Sequence, residues 1–402
     1  MDIEPFRIAI PDEAIEDVRR RLKATRWPED FANDHWRYGT STAYLRSLVD
    51  YWIEEYDWRA AEAEINRFAH FRTEIDGVPV HFLREPGKGP APVPLIISHG
   101  WPWCFWDMRK VIAPLADPAS HGGDPADAFE VIVPSLPGFG FSTPLRVPGI
   151  NWWRTADLWD ALMTKGLGHA RYGASGGDWG ALVTAQLGHK YAANLKAVHM
   201  MHAIPMTLFN NERPWDITGG ALVPASVRGE LREAVHARQR RIASHVAVHV
   251  LDPQTLANAL NDSPAGLLSW LVERRRAWGD TRGDVESRFT REHLITTTMI
   301  YWLTGSFGTS ARYYAEAAHN PWKPSHDRMP VVEAPTGFTF LGGEAPPGVV
   351  DPAQAFRESE QAAVYNLRQV TSHPVGGHFG HYEEPEAVVD AIRTLFRGLR
   401  PI

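Results

Sequence analysis

Length, composition and charge bound the class of protein to which this chain belongs. The 402 residues are 44% hydrophobic and 22% charged, which suffices for a large buried core and excludes a disordered or fibrous protein. A formal net charge of -7 without a basic block argues against nucleic acids and anionic membranes as partners. One cysteine, Cys104, excludes an intramolecular disulfide framework. Because neither a signal peptide nor a segment long enough to span a bilayer is apparent, we expect a cytoplasmic protein.

The N-terminal part of the chain is predicted to be helical and then to form a hairpin. Two sets of apolar residues recur at helical spacing and predict two helices before residue 70. In residues 71–85, alternating residues flank Asp76-Gly77, a dipeptide typical of a tight turn between two antiparallel strands. The helical sets are Ile15, Val18 and Leu22, and Tyr44, Leu48 and Trp52.

Short apolar runs alternating with helical stretches follow, and they indicate an α/β fold. This alternation is typical of a mostly parallel central sheet with helices on both faces. From about residue 202 to 320 the pattern is purely helical, and strands then return, so a helical cap is predicted between two segments of one sheet. The apolar runs lie at residues 93–102, 129–142, 170–175 and 195–201, then in TGFTFLGGE and LRQVTSHPVGGHFG. The predicted units are an N-terminal segment (1–70), a first core segment (71–204), the cap (205–322) and a second core segment (323–402).

The stretch RYGASGGDWGALVTAQLGHKY, residues 171–191, offers two overlapping frames of the motif G-x-nucleophile-x-G. One frame centres on Ser175 and the other on Asp178. In a nucleophile elbow, a strand ends in a strained turn and a helix begins at once. The helical pattern starts just after Trp179-Gly180, so a serine nucleophile would place glycines in the first helical turns. The sequence therefore favours Asp178 as the nucleophile, with an ordinary helix N-cap as the alternative.

The stretch His99-Gly100-Trp101-Pro102 directly follows an apolar strand. In hydrolases that have a nucleophile elbow, the loop at this place gives one main-chain donor to the oxyanion hole. The second donor is the residue after the nucleophile. We therefore expect the main-chain N–H groups of Trp101 and Trp179 to form the oxyanion hole, and His99 to be structural. The alternative is that this stretch is only a turn that contains a buried tryptophan.

The base and the acid are expected after the nucleophile in chain order. Gly376-Gly377-His378-Phe379 follows the last strand, which favours His378 as the base over His381 one helical turn later. Glu344 ends the strand TGFTFLGGE and is favoured as the acid that orients the histidine. Asp351, in a proline-rich loop, remains the alternative acid.

A carboxylate nucleophile permits chemistry at saturated carbon that a serine does not. Serine attack there gives an ether, whereas an aspartate, with a reference pKa near ~3.9, gives an ester that water can cleave. Histidine is then needed only to activate water. Epoxides and alkyl halides are the two substrate classes that fit. When an epoxide ring opens, its oxygen becomes a basic alkoxide that needs a proton donor. Tyr313 and Tyr314 on the last cap helix are candidates for this donor, and the alternative is that they only pack in the core.

Together these motifs resemble the microsomal-type branch of the epoxide hydrolases over nearly the whole chain. The similar stretches are PFRIAIPDEAIEDVRRRLKATRWPED, HGWP, GGDWG, PQTLANALNDSPAGLLSW, YWLTGSF and GGHF. The resemblance implies the α/β-hydrolase fold, Asp178 as nucleophile, His378 as base, Glu344 as charge-relay acid and Tyr314 as one of two cap tyrosines that polarise the epoxide oxygen. It implies neither a metal nor an organic cofactor, and a homodimer remains open because relatives often dimerise.

One position departs from the family pattern. The second tyrosine is replaced by His245, eight residues before Pro253, which either donates a proton or only shapes the pocket. His249 shares its helical face. We expect Trp101, Trp179, Tyr313 and His249 to contact the substrate as well.

The most favoured function is therefore hydrolysis of an epoxide to a vicinal diol, with water as co-substrate. A haloalkane dehalogenase using the same aspartate, histidine and acid is the alternative, and a non-catalytic binding protein is a third hypothesis.

Overall fold

A computed structural model describes residues 1–218 and 223–399, so the last residues of the predicted core and residues 219–222 of the predicted cap lie outside the described residues. Within these ranges the centre is a nine-stranded sheet of order β1-β2-β3-β5-β4-β6-β7-β8-β9. The neighbouring pairs β1-β2, β2-β3 and β3-β5 are antiparallel. The remaining pairs, β5-β4, β4-β6, β6-β7, β7-β8 and β8-β9, are parallel. The strands are β1 (Glu4–Phe6), β2 (His70–Ile75), β3 (Val78–Glu85), β4 (Val93–Ser98), β5 (Phe129–Pro134), β6 (Tyr172–Gly176), β7 (Leu195–Met200), β8 (Val332–Leu341) and β9 (Tyr365–His373).

Helices cover both faces of the sheet, which explains the near-continuous apolar sequence of its parallel strands. Helices α4 and α14 pack together and against the sheet, while α5 and α6 form a second layer. The mostly parallel α/β architecture predicted from the sequence is confirmed. The helices are α1 (Asp12–Lys23), α2 (Thr42–Glu54), α3 (Trp58–Ile65), α4 (Arg109–Ala116), α5 (Trp152–Ala161), α6 (Trp179–Lys190), α7 (Gly229–Leu251), α8 (Pro253–Leu260), α9 (Pro264–Trp278), α10 (Arg291–Leu303), α11 (Phe307–His319), α12 (Pro352–Arg357), α13 (Gly380–Glu383) and α14 (Pro385–Arg397).

The predicted hairpin forms as expected. Ile75 lies opposite Val78, and the intervening Asp76 and Gly77 have φ angles of 52° and 77°, which the tight turn requires. The N-terminal segment is not helical throughout, because β1 adds to the edge of this hairpin. Three residues are too few to produce a recognisable period, so the sequence did not reveal this strand.

Helices α7 to α11 lie between β7 and β8 and are called the cap below. Two stretches of the region predicted to be helical, residues 254–278 and 291–318, are each divided into two helices. One break precedes Ser263, whose hydroxyl caps α9, and the other contains Gly305, which has a φ of 60°. None of the described helices combines the length and apolar character that crossing a bilayer requires.

The N-terminal segment packs on the cap as well as on the core. The Tyr56 hydroxyl lies 3.0 Å from that of Thr296 on α10, and the Thr40 hydroxyl donates to the carbonyl of Ser269 on α9 over 2.9 Å. The first predicted unit boundary, at residue 70, falls on the first residue of β2. The N-terminal segment therefore fixes the cap relative to the sheet.

Candidate active site

Asp178 occupies the sharp turn between β6 and α6. Its φ of 54° and ψ of -125° are strained for a non-glycine residue. A side chain at Gly176 would collide with the main chain of Gly180, so a small residue is required where the strand and helix cross. The Asp178 N–H donates to Nδ1 of His202 over 2.8 Å, which helps to hold the strained turn.

Ser175, the alternative nucleophile, lies inside β6. Its buried hydroxyl is 3.1 Å from Nδ1 of His199, whose Nε2 is 3.0 Å from the Thr339 hydroxyl on β8. These contacts tie three neighbouring strands together beneath the elbow. Ser175 is therefore a structural residue in this fold.

One carboxylate oxygen of Asp178 faces main-chain amides. The Trp101 N–H donates to Asp178 Oδ1 over 2.8 Å, and a side chain at Gly100 would collide with this carboxylate. Burial would raise the pKa of Asp178, but His378 and the amides of Trp101 and Trp179 hold it below its ordinary value. Both amides expected to form the oxyanion hole thus act on the same carboxylate.

His378 lies between two carboxylates. Its Nε2 is 3.4 Å from Asp178 Oδ2 and its Nδ1 is 3.7 Å from Glu344 Oε1. Burial would lower the pKa of His378, but Glu344 and Asp178 raise it to about 9. Burial would raise the pKa of Glu344, but the charge of His378 lowers it to about 2. In the free protein the arrangement is therefore a protonated imidazole held by two carboxylates.

The two alternative residues are placed elsewhere. Asp351 is exposed and caps α12, accepting hydrogen bonds from the amides of Ala353 and Gln354. His381 is fully buried against Trp103, and burial lowers its pKa to about 3. The geometry favours Glu344 and His378, the residues preferred from the sequence.

His202 was missed by the sequence analysis. Because its Nδ1 accepts from the Asp178 N–H, its Nε2 carries the proton of the neutral ring, and burial lowers its pKa to about 4. The ring lies 4.4 Å from that of His378, centroid to centroid. His202 follows the end of β7, and the carboxyl ends of parallel strands are where sites collect, so strand position was the usable signal.

The loop that carries His378 is anchored to the cap and to α13. The His378 N–H donates to the carbonyl of Trp278 at the end of α9 over 2.9 Å. The Glu383 carboxylate accepts from the amides of Gly377 and Phe379 at 3.1 and 3.0 Å. The position of His378 therefore depends on the position of the cap.

Two cap residues face Asp178 across the cavity. Tyr314 packs against the Trp179 ring with centroids 4.6 Å apart, and its pKa is raised well above the usual range by burial. His245 stacks on the Trp101 ring at 5.2 Å, and burial lowers its pKa well below the usual range. The reference pKa of about 6.5 for histidine therefore does not apply to His245, because the buried ring is neutral.

Three residues expected to contact the substrate are not part of the cavity lining. Tyr313 is fully buried and its hydroxyl lies 2.7 Å from that of Thr155, so it packs against α5 outside the cavity lining. His249 accepts from the Trp270 indole over 3.3 Å and does not line the cavity either. The Trp101 ring is also behind the lining, although its amide reaches Asp178.

A cavity of about 460 Å³ connects these groups, within the usual range for small-molecule sites. Asp178, His202, Glu344 and His378 line it together with Tyr314 and His245. Away from them the wall is mainly apolar. Its apolar residues include Ile204, Leu208, Phe209, Phe340, Val349 and Phe356.

Within the described residues, one group could hold a metal ion by spacing. The ligand atoms of His202, Glu344 and His378 lie within 4.8 Å of one another. His378 and Glu344 already satisfy each other's charge, which favours a charge relay over a metal site.

The sequence and the fold are similar to those of known proteins. Residues 3–108 match the family profile described as epoxide hydrolase N terminus, and residues 93–316 match that of the alpha/beta hydrolase fold. A predicted epoxide hydrolase from Stigmatella aurantiaca is 38% identical over 99% of this chain and 86% of its own length. Epoxide hydrolase 1 from Oryctolagus cuniculus is 32% identical over 96% of this chain and 86% of its own length. The crystal structure of juvenile hormone epoxide hydrolase from the silkworm Bombyx mori has a TM-score of 0.78 and 27% identity, covering 99% of this chain and 94% of that one.

Proposed function

Because this chain belongs to the epoxide hydrolase family of the α/β-hydrolase fold, we propose that it converts epoxides to vicinal diols through a covalent ester on Asp178. The observation that carries the proposal is the placement of one carboxylate between an amide donor and a histidine. Trp101 N–H binds Oδ1, while Oδ2 faces His378. Such a carboxylate is oriented for attack and for later hydrolysis.

In the first step, Oδ2 of Asp178 attacks an epoxide carbon from the back and the carbon–oxygen bond of the ring breaks. The epoxide oxygen takes the phenolic proton of Tyr314, which lines the cavity with Asp178. An alkoxide is a much stronger base than a phenolate, so this transfer is favourable even with the raised pKa of Tyr314. His245 is neutral and serves as a hydrogen-bonding wall residue rather than as an acid.

In the second step, water hydrolyses the ester. Alkylation removes the negative charge that Asp178 places beside His378, so the pKa of His378 falls and the neutral imidazole can accept a proton from water. The hydroxide adds to the ester carbonyl, and the oxyanion forms at Oδ1 between the Trp101 and Trp179 amides. Glu344 stabilises the imidazolium. The intermediate collapses as the bond between the Asp178 carboxyl carbon and the diol oxygen breaks, and the departing diol oxygen takes the proton of the imidazolium. The proton left on the new Asp178 carboxyl group passes to the Tyr314 phenolate through solvent, which regenerates the Asp178 carboxylate and the Tyr314 phenol.

The test is a single turnover in heavy-oxygen water followed by mass analysis of the peptide that contains residue 178. Label in that peptide is expected because hydrolysis exchanges a carboxylate oxygen of Asp178. His378→Gln should accumulate the ester, and Asp178→Asn should abolish its formation. Asp351→Asn is the matched control because Asp351 is exposed, caps α12 and accepts from the Ser372 hydroxyl, and does not line the cavity. Label found in the diol alone would contradict the proposal.

The contribution of the cap is tested separately. Tyr314→Phe should slow alkylation by about 10²- to 10⁴-fold, the usual size of general acid catalysis. Halide release from haloalkanes, measured beside diol formation, distinguishes the dehalogenase alternative. Halide release without diol formation would refute the proposed reaction.

A further inference from the structure

An arginine that the reaction does not use also lines the cavity. Arg238 lines the cavity, is half-buried, and lies on the same face of α7 as Ile242 and His245. Among the described residues it has no ion pair or hydrogen bond. In a chain with a net charge of -7, an arginine without a carboxylate partner inside an apolar cavity calls for an anionic ligand.

Helix α7 sets the distance between this arginine and the reaction. Seven residues separate Arg238 from His245, which corresponds to about 10 Å along the helix axis. The wall between them is apolar, with Ile242 and Val246 on α7 and Phe340 on the opposite side. The acidic groups that line the cavity, Asp178 and Glu344, are both at the catalytic end.

A second arginine, Arg241, lies one helical turn from Arg238 but does not line the cavity. Its charge, together with that of His378, lowers the pKa of Glu344 against the effect of burial, so Arg241 acts at the catalytic carboxylates. Arg238 is therefore the arginine that a ligand in the cavity would meet.

Resting on the function proposed above, we propose that the substrate is an amphiphilic epoxide whose carboxylate binds Arg238, such as an epoxide of a long-chain fatty acid. The epoxide ring reaches Asp178 and Tyr314, the hydrocarbon chain occupies the apolar middle, and the carboxylate accepts from the Arg238 guanidinium. A single carboxylate matches the single guanidinium that lines the cavity.

The experiment compares the cis-epoxide of oleic acid, whose ring lies in the middle of the chain, with its methyl ester. The wild-type protein should prefer the acid in kcat/KM by about tenfold, the effect of one charge-assisted hydrogen bond. The preference should lie in KM, because Arg238 contacts a portion of the substrate that does not react.

Three variants separate the role of Arg238 from helix stability. Arg238→Met should lower the acid-to-ester ratio to about one, and Arg238→Lys should retain some of it. Arg240→Met is the matched control, since Arg240 is exposed on the same helix and does not line the cavity. An unchanged ratio in Arg238→Met, or a ratio near one in the wild type, would overturn the inference.

Failure of the proposed function gives a different result. In that case the wild-type protein would hydrolyse neither these epoxides nor styrene oxide. The Asp178→Asn variant still tests Arg238 without turnover, because binding of the acid can be measured from the quenching of tryptophan fluorescence. Equal affinity for acid and ester in that variant would overturn the inference independently.

Discussion

The charge of Asp178 is expected to keep His378 protonated in the free enzyme, and Asp178→Asn tests this directly. The neutral amide imitates the alkylated aspartate in size and charge. At the 3.4 Å separation of Asp178 Oδ2 and His378 Nε2, two unit charges attract by about 5 kcal/mol at an effective dielectric constant of about 20. If half of this energy is lost in the variant, the pKa of His378 falls by about 2 units, from about 9 to about 7.

The assay is an NMR titration of the imidazole signals, with His378 assigned by comparison with a His378→Gln variant. Asp351→Asn serves as the control, because Asp351 is exposed on α12 and should leave the pKa of His378 unchanged. A pKa in Asp178→Asn within half a unit of the wild-type value would refute the idea that alkylation converts His378 into the base.

Three further predictions concern stability and the elbow. Because the pKa of His378 is raised to about 9 in the folded protein, its protonation stabilises the fold fully below pH 6.5. About 3 kcal/mol of unfolding free energy should be lost as the pH rises from 6.5 through about 9. Urea unfolding measures this loss, which a His378→Gln variant should lack. Arg275→Met removes the arginine 2.7 Å from the buried Asp107 and leaves that carboxylate with the His293 ring and the Cys104 N–H. The change should cost about 3 kcal/mol of unfolding free energy, and a smaller cost than for the control Arg291→Met would contradict this. His202→Leu removes the acceptor of the Asp178 N–H and should slow alkylation by about tenfold, as measured by stopped-flow fluorescence. His202→Asn should preserve most of the rate. Equal alkylation rates in His202→Leu and the wild type would exclude a positioning role for His202.

The nucleophile frame could be predicted because it depends on local sequence. Glycines on either side of Asp178 and the start of α6 at Trp179 distinguish it from Ser175 without knowledge of the fold. Strand and helix types were likewise local, because the periods of 2 and 3.6 residues are visible in short windows.

Three features that the sequence did not predict depend on tertiary packing. Tyr313 and Tyr314 are adjacent on α11 and point about 100° apart, so only packing decides which of them faces the cavity. His249 shares a helical face with His245, but its ring is held behind the lining by Trp270. His202 lies beside the elbow because β7 pairs with β6 in the sheet, a neighbour relation that the order of strands along the chain does not give.

The sequence by itself determined the chemical groups and the order of elements, because a motif such as GGDWG and the periodicity of a strand are properties of neighbouring residues. Tertiary structure alone decided the protonation of His378, the position of Arg238 in the cavity and the burial of the Asp107–Arg275 pair. These depend on solvent exclusion and on charges brought together from distant regions of the chain, which no local pattern records.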